Sequence, residues 1–440
     1  MGTGIGYSWL FRWVLFLHGR YYRKIEVEGL KHIPEGRVIF SPNHQNAIMD
    51  ALAVLCTVKK PVFFLARGDF FRNRWLAVLL HFLKIYPAYR KIEGFDQLTQ
   101  NYATLELACR WLLSGNPVCI FPEGGHEGSW RLRPLSKGLF RLALETQSES
   151  PREPVYIVPV GIYYSSYTQW GATLHIKFGK PVNTHEVYRT WKMNKARGIN
   201  QLRDRVGEAM QQVVLRADEK FYNFIVNMAP YVAAHYGETE QYEVIQQFVD
   251  HCNRLSIAQP EVMQQTSQKF ESCYARISRI SVPPQCLVKE MSLSNFIRVS
   301  LTRLFIIPFV LPILIYLSPF LLVTGLINRF ISDRQFHSSV RFILLSLLPL
   351  WHGVVFVIIW QMAHSALLAA AISIFFFVTT ASGYRTTGFF SRWKREWTCY
   401  RNREQIQWIQ QQINDIIQML NFTYPYVAEH KTREDLVSRY

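Results

Sequence analysis

Charge is scarce in this sequence, and so are the usual marks of metal and disulfide chemistry. Charged residues make up 18%, against about 25% in an average soluble domain. The seven cysteines, at 56, 109, 119, 252, 273, 286 and 399, include no Cys-x-x-Cys pair. An odd, scattered set points to neither a disulfide framework nor a zinc site, so no metal is expected and buried thiols in a reducing compartment are the default. No Gly-x-Ser-x-Gly elbow, His-Glu-x-x-His helix or Walker lysine loop occurs, which removes the support for the corresponding hydrolase, protease and nucleotide chemistries. Zinc-finger spacing, an aromatic RNP signature and a basic-region helix are also missing, so no nucleic-acid partner is expected.

What is present is uneven. Hydrophobic residues reach 49% and aromatic ones 15%, with a mean hydropathy of zero that averages very different segments. A length of 440 residues allows two or three domains, each with its own core. The net charge of +17 is concentrated early: residues 1–200 hold 26 Lys and Arg against 14 Asp and Glu, whereas residues 201–300 hold 10 against 11. Such a surface suits phosphate groups, anionic lipid headgroups or an acidic carrier protein.

Residues 1–24 carry the aromatic run Tyr7 to Leu17, interrupted by Arg12 and followed by Arg20, Arg23 and Lys24. It is too short to span a bilayer and lacks a small-residue cleavage site, so an amphipathic helix in the membrane interface is predicted rather than a signal peptide. Residues 25–224 read as an α/β domain, a mainly parallel sheet covered by helices. Its predicted strands are residues 37–41, 62–66, 118–121, 155–161 and 174–178, with a helical stretch over 95–114 and a closing one over 200–224.

Four places in this domain can carry chemistry, and each follows a strand candidate. In Asn43-His44-Gln45-Asn46-Ala47-Ile48-Met49-Asp50, a histidine and a carboxylate stand where a strand gives way to a helix. They form a base and its orienting partner, or else a surface histidine and a first-turn aspartate. Arg90 can take a phosphate bidentately or lie solvated in a loop. In Phe121-Pro122-Glu123-Gly124-Gly125-His126, the glycines permit a close backbone approach, and a carboxylate ending an apolar strand calls for donors, a bound hydroxyl or Arg90. Pro159, between Val158 and Val160, marks an edge or a bulge.

Taken together, Asn43-His44 through Asp50, Arg90, Phe121-Pro122-Glu123-Gly124 with Lys137-Gly138 downstream, and Val158-Pro159-Val160 resemble the four ordered blocks of the glycerolipid acyltransferases, the lysophosphatidic acid and glycerol-3-phosphate acyltransferases. The resemblance covers roughly residues 25–182. It implies transfer of a fatty acyl group from acyl-CoA or acyl carrier protein to glycerol 3-phosphate or lysophosphatidic acid, without metal, cofactor or covalent intermediate. It assigns His44 as general base and Asp50 as its orienting partner. Arg90, Glu123, Gly124, Gly125 and Lys137 would bind the acceptor, and Pro159 would line the acyl side. Two positions depart from the pattern. Five residues separate His44 from Asp50 where most members have four; some glycerol-3-phosphate-type members also have five. His126 stands where many members carry arginine. A phosphate-free lysolipid acceptor, or a non-catalytic lipid-binding role, are the alternatives.

Beyond this domain the sequence predicts a polar helical segment over residues 225–300, a transmembrane region over 301–384 and a basic, amphipathic helical tail over 385–440. Residues 304–327 and 342–383 carry no charge, giving two or three spans with a hairpin turn near residues 361–364. Arg329, Arg334 and Arg341 flank one side and the denser cluster of Arg385, Arg392, Lys394, Arg395, Arg401 and Arg403 the other, so the tail is placed on the cytoplasmic face. Two spans would keep both ends on one side and three would separate them; the acyltransferase domain of this integral membrane protein is expected on the cytoplasmic face. In the tail, Ile406, Ile409, Ile413, Ile416 and Leu420 recur at helical spacing and predict packing on another helix.

Overall fold

A computed structural model describes residues 4–88, 95–237, 242–288, 291–380 and 386–424. Arg90 lies outside the described residues. The chain divides into two compact units, residues 1–216 with 306–389, and residues 217–305 with 390–440.

The first unit is built on an eight-stranded sheet ordered β1-β7-β6-β2-β5-β3-β4, with β8 also beside β6. The strands are β1 Lys24–Glu28, β2 Arg37–Pro42, β3 Phe63–Arg67, β4 Ile85–Ala88, β5 Val118–Cys119, β6 Val155–Tyr164, β7 Thr173–Phe178 and β8 Val182–Asn183. Every pairing is parallel except those of β6 with β7 and β8. Alternation along the central strands explains the layers. Val38, Phe40, Val158 and Val160 face one apolar layer, with Leu17 and Tyr21 of helix Ile5–Tyr21 and Met49, Ala53 and Val54 of helix Ile48–Val58. Ile39, Val155 and Ile157 face the other, with Leu112, Leu142 and Leu202 from helices Phe95–Leu113, Gly138–Glu149 and Lys195–Gln211.

The reading of Pro159 as an edge or bulge residue is corrected: β6 is an interior strand. Its ladder with β8 ends at Ile157 and its ladder with β7 begins at Val160, so the donor that proline lacks falls in the gap between them. Gly161 is required for a different reason, since a Cβ there would lie 1.8 Å from the Val213 carbonyl oxygen.

The same unit contains most of the apolar C-terminal region. Helix Leu293–Phe330 runs unbroken through Pro308, Pro312 and Pro319, and its Ile313, Tyr316 and Leu317 join the layer that holds Phe40 and Val158. The second uncharged run becomes helices Phe336–Ser346 and Leu348–Ala363, bent by 42°, and Ala366–Thr380 after a turn at His364, φ +50°. Among the described residues, one helix is long and apolar enough to cross a membrane, or two if the bent pair counts as one span.

In the second unit, helices Tyr222–His235, Tyr242–Ala258, Pro260–Ile280 and Arg403–Met419 bury Phe224, Phe248, Phe270 and Ile409. The isoleucine stripe of the last helix is buried, and that helix is tied to Pro260–Ile280 by the 2.9 Å pair of Lys269 with Asp415 and by Arg276 over the Trp408 ring at 4.6 Å. The cysteine expectation needs correcting here. Cys286 and Cys399, 113 residues apart, form a disulfide with a Cα separation of 5.3 Å. Folding of the tail onto this unit brings them together, which spacing alone does not show.

Candidate active site

The site grows from the end of β2. At Asn43 the backbone N–H still reaches the Val160 carbonyl at 3.2 Å, and the side chain extends the pairing, donating to the Ile162 carbonyl at 3.1 Å and accepting the Ile162 N–H at 2.7 Å. His44 then turns out of the sheet, 16% exposed, with its ring stacked 4.1 Å from that of Phe121.

Asp50, in the first turn of helix Ile48–Val58, is fully buried. Its Oδ2 takes His44 Nδ1 at 2.8 Å and the backbone N–H groups of Gln45 and Asn46 at 2.7 Å each, while Oδ1 accepts the Tyr164 hydroxyl at 2.8 Å. An ionised carboxylate only accepts, so Nδ1 carries the proton and Nε2 is left with the lone pair. Burial beside this charge pushes the Tyr164 hydroxyl well above the usual tyrosine range, keeping it a donor.

Between His44 and Asp50 the backbone leaves the usual regions at one residue. Ala47 takes φ +46°, ψ −125°, and the turn closes with the Met49 N–H on the Asn46 carbonyl at 3.0 Å. This conformation strains an L-residue. It also commits the amides of Gln45 and Asn46 to Asp50.

Glu123 arrives on the loop after β5. Oε1 accepts the His44 N–H at 3.2 Å and Oε2 the Arg133 N–H at 3.4 Å. Its partners are thus two backbone amides. Burial raises its pKa to about 7, against the lowering effect of those amides. Gly124 supplies φ +66°, and Gly125 follows it in the bend. The loop closes on His44 through the Glu127 N–H, which reaches the His44 carbonyl at 3.0 Å. Lys137 is exposed at the start of helix Gly138–Glu149, beside Ser136, whose N–H bonds the Pro122 carbonyl at 2.7 Å. Pro159 is buried in register with Ser41, three residues before His44.

Residues 24–163 match the family model described as Acyltransferase. These residues, about a third of the chain, are similar to that family. Over 127 residues, 28% of this chain and 18% of its relative, the sequence is 28% identical to an uncharacterized acyltransferase of Schizosaccharomyces pombe; the match spans less than a fifth of that protein. The crystal structure of the 1-acyl-sn-glycerophosphate acyltransferase PlsC from Thermotoga maritima aligns with 47% of this chain and 79% of its own, at 18% identity and a TM-score of 0.34.

Three side chains at the site escaped the sequence reading. Tyr164 lies on β6 beyond the expected strand end, although the alternation of Ile162 and Tyr164 continues the apolar face and signals it. Tyr167 donates to Gln45 Oε1 at 3.1 Å, and Gln45 Nε2 donates to the Ser129 carbonyl at 2.7 Å. Asp333 sits 2.8 Å from His126 Nε2 at a sequence separation of 207, and no local pattern announces it. Among the described residues, no group of three His, Cys, Asp or Glu side chains could hold a metal ion.

Proposed function

We propose that the protein is a membrane-associated O-acyltransferase that moves a fatty acyl group from acyl-CoA or acyl carrier protein to a hydroxyl of glycerol 3-phosphate or lysophosphatidic acid. The observation that carries this reading is His44 with Nδ1 bound to buried Asp50 at 2.8 Å, at the rim of an acyltransferase-family domain. Nε2 takes the proton of the acceptor hydroxyl as its oxygen attacks the thioester carbonyl carbon; the carbon–sulfur bond breaks, and the imidazolium returns the proton to the departing thiolate. Asp50 stabilises the imidazolium in between. Glu123 fixes the His44 backbone; the family pattern assigns Gly124, Gly125 and Lys137, together with Arg90, to the acceptor's polar end and Pro159 to the acyl side.

The setting fits a lipid surface. Helix Ile5–Tyr21 exposes Ile5 and Trp9, and helix Leu293–Phe330 exposes Phe305, Phe309, Ile315 and Leu322 while its other side packs on the domain. Apolar faces of this kind seek lipid, and the basic charge of the first 200 residues favours the anionic cytoplasmic leaflet. The test is product identification by mass spectrometry after supplying acyl-CoA or acyl carrier protein with glycerol 3-phosphate, lysophosphatidic acid and phosphate-free lysolipids. Acylated phosphate-bearing product is expected. Acylation of the phosphate-free lysolipids alone, or lipid binding without thioester cleavage, would overturn the reading.

A further inference from the structure

A second histidine–carboxylate pair stands against the first. His126 Nε2 is 2.8 Å from Asp333 Oδ2, and the His126 ring lies 5.3 Å from that of His44, edge to face at 66°. Its own edge is held by the Phe336 ring at 4.8 Å. Asp333 comes from the segment that follows helix Leu293–Phe330, and this segment is anchored independently of His126. Arg341 donates to the Thr168 carbonyl at 2.8 Å, Ser338 donates to the Tyr167 carbonyl, and a Cβ on Gly128 would meet Gln335 Nε2 at 2.8 Å. Asp333 also orients itself, since Oδ1 accepts the Gln335 N–H at 3.0 Å.

The two rings are wired in opposite senses. Asp50 engages Nδ1 of His44, leaving Nε2; Asp333 engages Nε2 of His126, leaving Nδ1. A carboxylate accepts only, so in the neutral ring Nδ1 of His126 carries a lone pair, the partner for a hydroxyl. A guanidinium at this position would seek an anion without support, whereas an imidazole offers one nitrogen in a fixed direction only when the other is held. Two adjacent imidazoles, each with one nitrogen held, match two adjacent hydroxyls.

We propose that Asp333 is a positioning residue that holds His126 to bind the second hydroxyl of a vicinal-diol acceptor while His44 deprotonates the first. This rests on the acyl-transfer reading above and narrows it. The acceptor class is a glycerol phosphate with two neighbouring free hydroxyls, of which one is acylated and the other is read. A 1-acylated glycerol phosphate has no second hydroxyl to offer.

The test compares glycerol 3-phosphate with 3-hydroxypropyl phosphate, which keeps the phosphate and the reacting hydroxyl but lacks the neighbour. The full-length protein in vesicles is assayed with acyl-CoA. Wild type is expected to favour glycerol 3-phosphate in kcat/KM by at least about tenfold, as sites that hydrogen-bond a substrate hydroxyl reject the analogue lacking it. In His126→Ala and Asp333→Ala the ratio falls to within about twofold, with the larger loss on glycerol 3-phosphate. Their double variant matches either single one, as residues acting as a unit do. Asp333→Asn keeps an oxygen acceptor for Nε2 and restores part of the ratio. Because the readout is a ratio within one enzyme, loss of folded protein does not move it. A wild-type ratio near one, or a ratio unchanged in the two alanine variants, overturns this inference while acyl transfer stands. Failure to acylate any glycerol phosphate overturns both.

Discussion

Replacing Asp50 separates what the carboxylate does for the fold from what it does for chemistry. Asp50 is fully buried and accepts from His44 Nδ1, two backbone amides and the Tyr164 hydroxyl. In Asp50→Ala the amides of Gln45 and Asn46 lose their partner inside the protein, at about 1–3 kcal/mol each. The amides alone then cost about 2–6 kcal/mol, a large part of the roughly 5–15 kcal/mol that holds a typical domain together. Asp50→Asn behaves differently. Its amide oxygen can serve the three donors on the Oδ2 side, and the Tyr164 hydroxyl can rotate to accept from the new NH2. The fold then loses only about 1–2 kcal/mol. The charge that steadies the imidazolium is gone, however, and kcat should fall by about 10²–10⁴. Thermal unfolding followed by tryptophan fluorescence, together with initial rates of acyl transfer, measures both effects. An asparagine variant within threefold of wild-type kcat, or an alanine variant that loses less than about 1 kcal/mol, would refute the assignment.

Other outcomes follow from single positions. Ala47→Gly should stabilise the protein: its positive-φ conformation costs an alanine about 1–3 kcal/mol, offset in part by about 0.5–1 kcal/mol of glycine entropy, and a lower unfolding temperature would show that the turn is unstrained. Gly161→Ala should abolish folded protein or cost more than about 3 kcal/mol, since the new Cβ would lie 1.8 Å from a backbone oxygen with backbone on both sides; normal expression and melting would contradict this. Glu123→Gln tests the raised carboxyl pKa of about 7. The folded state holds the Glu123 proton more tightly than the unfolded chain, so wild-type stability falls as pH rises from about 4.5 to about 7, by roughly 3 kcal/mol. The glutamine variant should lack that component, and identical pH profiles for the two proteins would rule it out.

How much of this was legible in the sequence depends on how local the signal is. The strand, loop and helix around His44 and Asp50 could be read because seven consecutive residues hold the whole pair. The loop at Glu123 was legible through its glycines, but its backbone partners at His44 and Arg133 were not, since an amide carries no mark in sequence. Strands β1 and β4 were missed because Lys24–Glu28 is half charged and Ile85–Ala88 contains a proline. Pro159 was misread because the gap between two ladders is a property of the assembled sheet. Asp333 and the Cys286–Cys399 bond are the extreme cases, at separations of 207 and 113 residues. Each depends on where the C-terminal segments fold back, which hydrophobic periodicity does not specify.

The central claim is that His44, oriented by Asp50, is the base for acyl transfer. It is tested most directly by measuring acylated glycerol phosphate formed from acyl-CoA by wild type and His44→Ala at equal amounts of folded protein in vesicles. The account predicts a fall in kcat of at least about 10². Equal turnover by the two proteins would contradict it.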